Sequence, residues 1–130
     1  MLTKKESYNV AVVGATGIVG ESLLEILYSR RFPISSIHAV ASKKSKGSKA
    51  KFGDQLLTVE SLDEFNFTDI DIAFFSAGSS VSKEYATKAT TQGCIVIDNT
   101  SEFRYEQDIP LVVPEVNPQD IDLYKHKNII

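Results

Sequence analysis

Residues 9–20 read Asn-Val-Ala-Val-Val-Gly-Ala-Thr-Gly-Ile-Val-Gly, and this stretch decides the fold. Its apolar run, Val10–Val13, is typical of a buried strand, and the apolar spacing after residue 18 is typical of a helix. The glycines between them permit a sharp turn and leave no side chain between the backbone and an anion. The N–H groups of the new helix would then face that anion. We therefore predict a dinucleotide pyrophosphate site at Gly14, Gly17 and Gly20; the alternative is a turn that needs glycine for its dihedral angles alone.

The rest of the chain continues an alternation of strands and helices. Near-continuous apolar strands joined by helices indicate a parallel sheet that is covered on both faces. We predict an α/β fold of the Rossmann type, doubly wound and mainly parallel, in one NAD(P)-binding domain over residues 1–130. The predicted strands are 8–13, 37–41, 55–59, 70–75, 94–97 and 111–113, and the predicted helices are 18–30 and 81–92. Residues 128–130 resemble the start of a further strand, so we expect the chain to be truncated before a catalytic domain.

Composition excludes several classes of function. The chain has 130 residues and a net charge of −3, which disfavours non-specific nucleic-acid binding. No apolar run approaches the roughly 20 residues of a membrane span. A single cysteine cannot form an internal disulfide, and the polar N-terminus lacks a signal-type core. We expect a cytoplasmic protein that binds neither nucleic acid nor membrane, and no motif predicts a metal site.

The loop after the second strand indicates which nucleotide binds. NAD sites usually place an acidic residue there to hold the ribose 2′-hydroxyl, whereas this loop reads Ser42-Lys43-Lys44-Ser45-Lys46-Gly47. Lysine and serine can supply hydrogen bonds to a 2′-phosphate, so NADP is favoured over a merely solvated basic loop. The small residues Ser76, Ala77 and Gly78 close another strand at the same sheet edge, where bulk would obstruct the nucleotide; a simple tight turn is the alternative.

Five sequence blocks, taken together in their order along the chain, resemble one known family. The series resembles the N-terminal, cofactor-binding part of aspartate-semialdehyde dehydrogenase, over essentially the whole chain. The last two blocks are the most specific, because generic Rossmann proteins lack them. The blocks are Gly14–Gly20, Ala41–Gly47, Ser76–Ser80, Asp98–Arg104 and Pro110–Pro118.

The resemblance implies an NADP-dependent interconversion of aspartyl β-phosphate and aspartate β-semialdehyde, on the route to lysine, threonine and methionine. It also implies a homodimer, with a cysteine nucleophile and a histidine base beyond the end of this chain. Carried over by motif, Thr16, Gly17, Ile18 and Val19 would contact the pyrophosphate, and Lys44 and Ser45 the 2′-phosphate. Many relatives have arginine at the position of Lys44, which leaves room for a looser preference for NADP.

Arg104 is the residue to which the resemblance assigns a substrate role, namely binding the phosphate of the acyl phosphate. Its planar guanidinium suits bidentate phosphate contact, although an exposed ion pair with Glu102 or Glu106 is the alternative. Cys94 lies within an apolar strand and is expected to be a buried hydrophobe, so no catalytic residue is predicted here.

Three other functions remain open at this stage. An N-acetylglutamyl-phosphate reductase shares the chemistry but fits the last two blocks less well. The extended short-chain reductases need a tyrosine with lysine four residues later, which none of the five tyrosines has. A non-catalytic nucleotide-binding module is the third.

Overall fold

The computed structural model describes residues 2–130, and its main feature is a parallel sheet flanked by two helices. A 3-10 turn covers Lys43–Ser45, and a longer 3-10 segment covers Pro118–His126. Among the described residues, no helix combines the length and apolar character that crossing a membrane requires. The strands are β1 (Tyr8–Val13), β2 (Ile34–Ala41), β3 (Lys49–Phe52), β4 (Gln55–Thr58), β5 (Glu60–Ser61), β6 (Ile72–Phe75) and β7 (Ile95–Asp98), and the helices are α1 (Ile18–Ser29) and α2 (Ser79–Thr91).

The five-stranded sheet has the order β5-β2-β1-β6-β7, and every neighbouring pair in it is parallel. Its register puts the carboxyl ends of the central strands level with one another. Val13 pairs with Val40 on one side and with Phe75 on the other, and Phe75 pairs with Asp98. The loops that follow these strands therefore emerge side by side at one edge, which is the ligand edge of open parallel sheets.

The alternation of side chains along β1 divides the core between the two faces of the sheet. Val10 and Val12 pack with Leu24 and Leu27 of α1 in one apolar cluster. Ala11 and Val13 belong to a second cluster with Ala86 and Ala89 of α2. Because successive strand residues point to opposite faces, the two helices lie on opposite sides. The predicted doubly wound Rossmann-type sheet is confirmed.

The predicted strand at 55–59 is confirmed as β4, but it is one arm of a hairpin whose other arm, β3, was not predicted. β3 and β4 are antiparallel, with Phe52 opposite Gln55, so Gly53 and Asp54 form a two-residue turn. Gly53 has a φ of 59°, which suits such a turn. Alternation explains β3, because Ala50 is buried on the α1 side while the lysines at 49 and 51 are exposed. The alternating pattern followed by Gly-Asp was a hairpin signal that the sequence analysis missed.

The strand predicted at 111–113 is wrong. The backbone there finds its partners in one side chain, since Val113 N donates to Asn117 Oδ1 (2.7 Å) and Asn117 Nδ2 donates to the Leu111 carbonyl (2.8 Å). By contrast, the chain end does join the sheet. Ile129 forms a parallel bridge to Val96, with Ile130 N donating to the Val96 carbonyl at 2.9 Å.

Candidate nucleotide-binding site

A groove of about 550 Å³ lies along the carboxyl edge of the sheet. It crosses the loops that follow β1, β2, β5 and β6, which is where a parallel sheet of this topology binds nucleotides. It is lined by Val13, Gly14, Thr16, Gly17, Ala41, Ser42, Lys43, Leu62, Asp63, Ser76, Ala77, Val81 and Tyr85.

The glycine-rich loop after β1, residues 14–17, is fixed to the strands on both sides of β1. Gly14 N donates to the Val40 carbonyl at 2.8 Å, and Ser76 N donates to the Val13 carbonyl at 2.9 Å. Gly14 has a φ of 92°, and a Cβ there would lie 2.8 Å from the carbonyl carbon of Ser76. Gly14 therefore allows two loops of the groove to touch backbone to backbone.

Helix α1 begins at this loop with its N-terminus open toward the groove. Its N-cap, Gly17, makes no side-chain cap hydrogen bond, so the first helical N–H groups receive no side-chain acceptor. Ile18 is 86% exposed and Val19 is 44% exposed, which leaves this turn accessible to a ligand. A Cβ on Gly17 would meet only ordinary contact, at 3.5 Å from the Gly14 carbonyl oxygen. Gly17 is thus not required by internal packing.

Gly20 lies one turn further and has a different role. A Cβ there would lie 2.0 Å from the carbonyl oxygen of Gly14 and 2.7 Å from its carbon. Real side chains do not approach backbone so closely, so Gly20 is needed for α1 to pack on the loop. Gly20 supports the shape of the site and does not line the groove.

The loop after β2 forms a tight 3-10 turn, in which Ser45 N donates to the Ser42 carbonyl at 2.9 Å. Ser42 and Lys43 line the groove, whereas Lys44 and Ser45 are in the same turn but outside its lining. Lys43 is the groove cation to which the sequence analysis assigned no role of its own.

Asp63 is a second groove residue that the sequence analysis missed. It follows β5, whose Ser61 pairs with Ala41 at the end of β2, and the buried Ser61 hydroxyl donates a hydrogen bond to its carboxylate. That hydrogen bond, followed by the positive charges of Lys43 and Lys46, lowers the pKa of Asp63. The signal was available in principle, because an acidic residue follows a short strand at the ligand edge.

Ser76, Ala77 and Gly78 connect β6 to α2. The Ser76 hydroxyl turns back to donate to the Val13 carbonyl at 3.2 Å. Ser76 and Ala77 line the groove, while Gly78, with a φ of 93°, is the N-cap of α2.

A polar cluster holds the loop after β7, on the far side of the groove. Asp98 Oδ1 accepts hydrogen bonds from the buried Ser82 hydroxyl and from Thr100 N, both at 2.9 Å. Asp98 Oδ2 accepts from the Thr100 hydroxyl at 2.9 Å, so one carboxylate ties α2 to this loop. Arg104 lies further along the loop and is exposed; none of the ion pairs in residues 2–130 includes it.

Cys94 is fully buried, and its Sγ donates to the Ile95 carbonyl at 3.4 Å. Burial raises the pKa of the thiol to about 12, with Asp71 adding to the effect. A thiol of this kind is not a nucleophile at neutral pH.

His38 pairs with Glu60 at 2.8 Å, and residues 2–130 bring together no group of three or more His, Cys, Asp or Glu side chains that could hold a metal ion.

Comparison with known proteins identifies the family. A family model described as "Semialdehyde dehydrogenase, NAD binding domain" matches residues 9–124. The aspartate-semialdehyde dehydrogenase of Rickettsia typhi is 54% identical over 129 residues, which are 99% of this chain and 38% of that protein. The chain therefore spans under half the length of the curated relatives it matches.

Solved structures agree in fold. Aspartate semialdehyde dehydrogenase II from Vibrio cholerae, complexed with ASA, matches with a TM-score of 0.92 at 47% identity, over 95% of this chain and 40% of that one. The enzyme from Candida albicans, solved with NADP, matches with a TM-score of 0.74 at 31% identity, over 89% of this chain and 36% of that one. The resemblance inferred from the five sequence blocks is confirmed, and the chain belongs to the semialdehyde dehydrogenase family, as its NAD-binding domain.

Proposed function

We propose that this chain is the NADP-binding part of an aspartate-semialdehyde dehydrogenase, which reduces aspartyl β-phosphate to aspartate β-semialdehyde. The observation that carries the proposal is the uncapped N-terminus of α1, at the end of a glycine-rich loop on the groove. Relatives of this name match nearly the whole chain, and one of them was solved with NADP. We further propose that these residues are a single domain of a cytoplasmic homodimer.

The groove residues fit a dinucleotide. The free N–H groups at the start of α1 and the helix dipole suit the pyrophosphate, which Thr16, Gly17, Ile18 and Val19 would contact. Ser42, Lys44 and Ser45, joined by Lys43, would hold the 2′-phosphate. The small side chains at Ser76 and Ala77 leave the path toward the β7 loop open. Bound there, NADP would supply the hydride donor or acceptor of the reaction.

Arg104 is proposed to bind the phosphate of the acyl phosphate, or inorganic phosphate in the reverse direction. It follows the loop that Asp98 anchors, it is exposed, and no carboxylate of residues 2–130 forms an ion pair with it. A guanidinium that is free of internal partners keeps both of its N–H edges for an anion. Cys94 is the chain's one cysteine and is buried, so the thiolate chemistry is assigned to the part of the relatives that this chain does not span.

Isothermal titration of the purified chain tests the nucleotide proposal. We expect NADP and NAD both to bind, with NADP the tighter, and we expect Lys43→Ala to weaken NADP more than NAD. Lys51→Ala is the matched control, because Lys51 is an exposed lysine on β3 outside the groove. If the chain binds neither NADP nor NAD, the proposal is rejected. If the two nucleotides bind equally well, or NAD binds more tightly, the assignment of NADP is rejected.

An activity assay tests the assignment of the chemistry. We expect no phosphate-dependent oxidation of aspartate semialdehyde by the 130-residue chain, measured as NADPH absorbance at substrate saturation. Turnover by the purified chain would contradict the assignment of the nucleophile to another segment.

A further inference from the structure

The end of the groove that is proposed to bind the adenosine of NADP, here called the adenosine end, is lined by both a carboxylate and a lysine. This end is where the loops after β2 and β5 meet helix α2, since Ala41 of β2 pairs with Ser61 of β5. Its lining residues are Ser42, Lys43, Leu62, Asp63, Val81 and Tyr85.

The Asp63 carboxylate is fixed in place and ionised. Ser61, which is 2% exposed, donates its hydroxyl hydrogen to Asp63 Oδ1, so a buried side chain anchors one carboxylate oxygen. This hydrogen bond holds the pKa of Asp63 below its ordinary value, so the group carries its charge at neutral pH. The pKa of Tyr85 is raised by burial, by Glu84 and, to a smaller extent, by the charge of Asp63. This agrees with an Asp63 carboxylate that faces the groove, which Tyr85 also lines.

Neighbouring lysines do not cancel this charge fully. Lys46 forms an ion pair with Glu64 at 2.6 Å, so its charge is already engaged. Lys43 is the lysine that shares the groove lining with Asp63. The adenosine end therefore presents one cation and one anion to whatever substituent the ribose carries at its 2′ position.

We propose that Asp63 is a specificity-determining residue that opposes the 2′-phosphate and keeps the chain's discrimination between NADP and NAD small. The inference rests on the proposed nucleotide-binding function. A 2′-phosphate carries close to two negative charges at neutral pH, so a fixed carboxylate repels it while Lys43 attracts it. The 2′-hydroxyl of NAD is neutral and can donate a hydrogen bond to the same carboxylate, as acidic residues do in NAD sites.

The test measures NADP and NAD affinities of the 130-residue chain with Asp63→Asn by calorimetry at low salt. The substitution keeps the size of the side chain and removes its charge. We expect NADP to bind about threefold to tenfold more tightly, as for one like-charge contact near a protein surface, and NAD to bind equally well or more weakly. Asp54→Asn is the matched control: it removes the same charge from the turn between β3 and β4, outside the groove, and should change neither affinity by more than about twofold.

The possible outcomes separate the two proposals. If wild-type chain binds neither nucleotide, the proposed function itself fails, and this inference fails with it. If both nucleotides bind but Asp63→Asn weakens them equally, Asp63 supports the adenine or the loop, and the inference is overturned. An unchanged ratio of affinities also overturns it. Asp63→Ser is the second variant, read in the same way, should Asp63→Asn lower the melting temperature of the chain.

Discussion

Replacing Gly20 with alanine tests whether this glycine is needed for helix α1 to pack against the glycine-rich loop. The added Cβ would lie 2.0 Å from the Gly14 carbonyl oxygen, well inside contact distance, and Gly14 is itself held by the hydrogen bond from its N–H to the Val40 carbonyl. Because the obstructing atom is backbone, relief requires α1 or the loop to move by more than 1 Å, for which overpacking costs of about 3 kcal/mol are typical upper values. Alanine in a helix recovers about 1 kcal/mol relative to glycine. The net loss is about 2 kcal/mol, which corresponds to a fall of about 7 °C in Tm for a chain of this length.

The matched control is Gly17→Ala, three residues earlier in the same motif. Its Cβ would lie 3.5 Å from the nearest atom, and its φ of −83° and ψ of 171° are ordinary for alanine. The loss of stability should stay below about 1 kcal/mol, the usual difference at an N-cap. The same methyl group would face the groove and obstruct the pyrophosphate, so NADP affinity should fall at least tenfold.

Thermal unfolding followed by circular dichroism, with calorimetry of NADP binding, separates the two glycines. The expected pattern is crossed: Gly20→Ala lowers Tm, whereas Gly17→Ala lowers affinity at nearly constant Tm. A Gly20→Ala variant with wild-type Tm would refute the packing argument. A Gly17→Ala variant that retains full NADP affinity would refute the position assigned to the pyrophosphate.

Three further results are expected. Ser82→Ala should lower the free energy of unfolding in urea by about 1–3 kcal/mol, because it removes a buried hydrogen bond to the Asp98 carboxylate while the two from Thr100 remain; a loss below about 0.5 kcal/mol would contradict the anchoring role. Cys94 should resist a disulfide-exchange reagent at pH 8 until the chain unfolds, since burial raises its pKa to about 12, and fast labelling of folded protein would contradict this. Burial by itself would raise the pKa of the Asp71 carboxyl, but the hydrogen bonds from Lys5 and from the Asn9 backbone, together with the positive charge of Lys5, lower it overall. A carboxyl whose pKa is lowered by folding stabilises the folded chain at pH values above the pKa of the unfolded state, and this stabilisation is lost as the pH falls. Asp71→Asn should therefore be less stable than wild type at pH 7, and its stability should fall less than that of wild type below about pH 5. Melting curves recorded across pH measure both effects.

Local patterns predicted the elements whose signals lie in adjacent residues. The apolar run of β1, the glycines after it and the apolar spacing of α1 each lie within a dozen residues, and together they predicted the edge of the sheet that holds the groove. Elements that depend on a partner were missed. Strand β3 was missed because its lysines at 49 and 51 face solvent and no apolar run marks it, whereas its partner β4 lies within the strand predicted at 55–59. Residues 111–113 looked like a strand because the side chain of Asn117, which satisfies their backbone, lies outside the apolar run.

The candidate site divides in the same way. The residue types of the glycine-rich loop and of the Ser42–Ser45 turn indicate anion binding, since exposed backbone N–H groups at glycines and the side chains of lysine and serine donate hydrogen bonds to anions. The motif could not show that Gly20 is needed for packing whereas Gly17 is not, because this difference depends on how closely α1 approaches Gly14.

The sequence by itself determined the fold class, the family and the edge of the sheet at which we propose that a nucleotide binds, because these follow from local periodicity and from motifs of adjacent residues. Only the tertiary structure decided which side chains share the groove. Asp63 is 20 residues from Lys43 in sequence, and Ser82 is 16 residues from Asp98. The parallel pairing of β5 with β2 brings the first pair to one end of the groove, and the packing of α2 beside β7 joins the second. Charge balance at a site depends on such distances in space, which residue spacing along the chain does not contain.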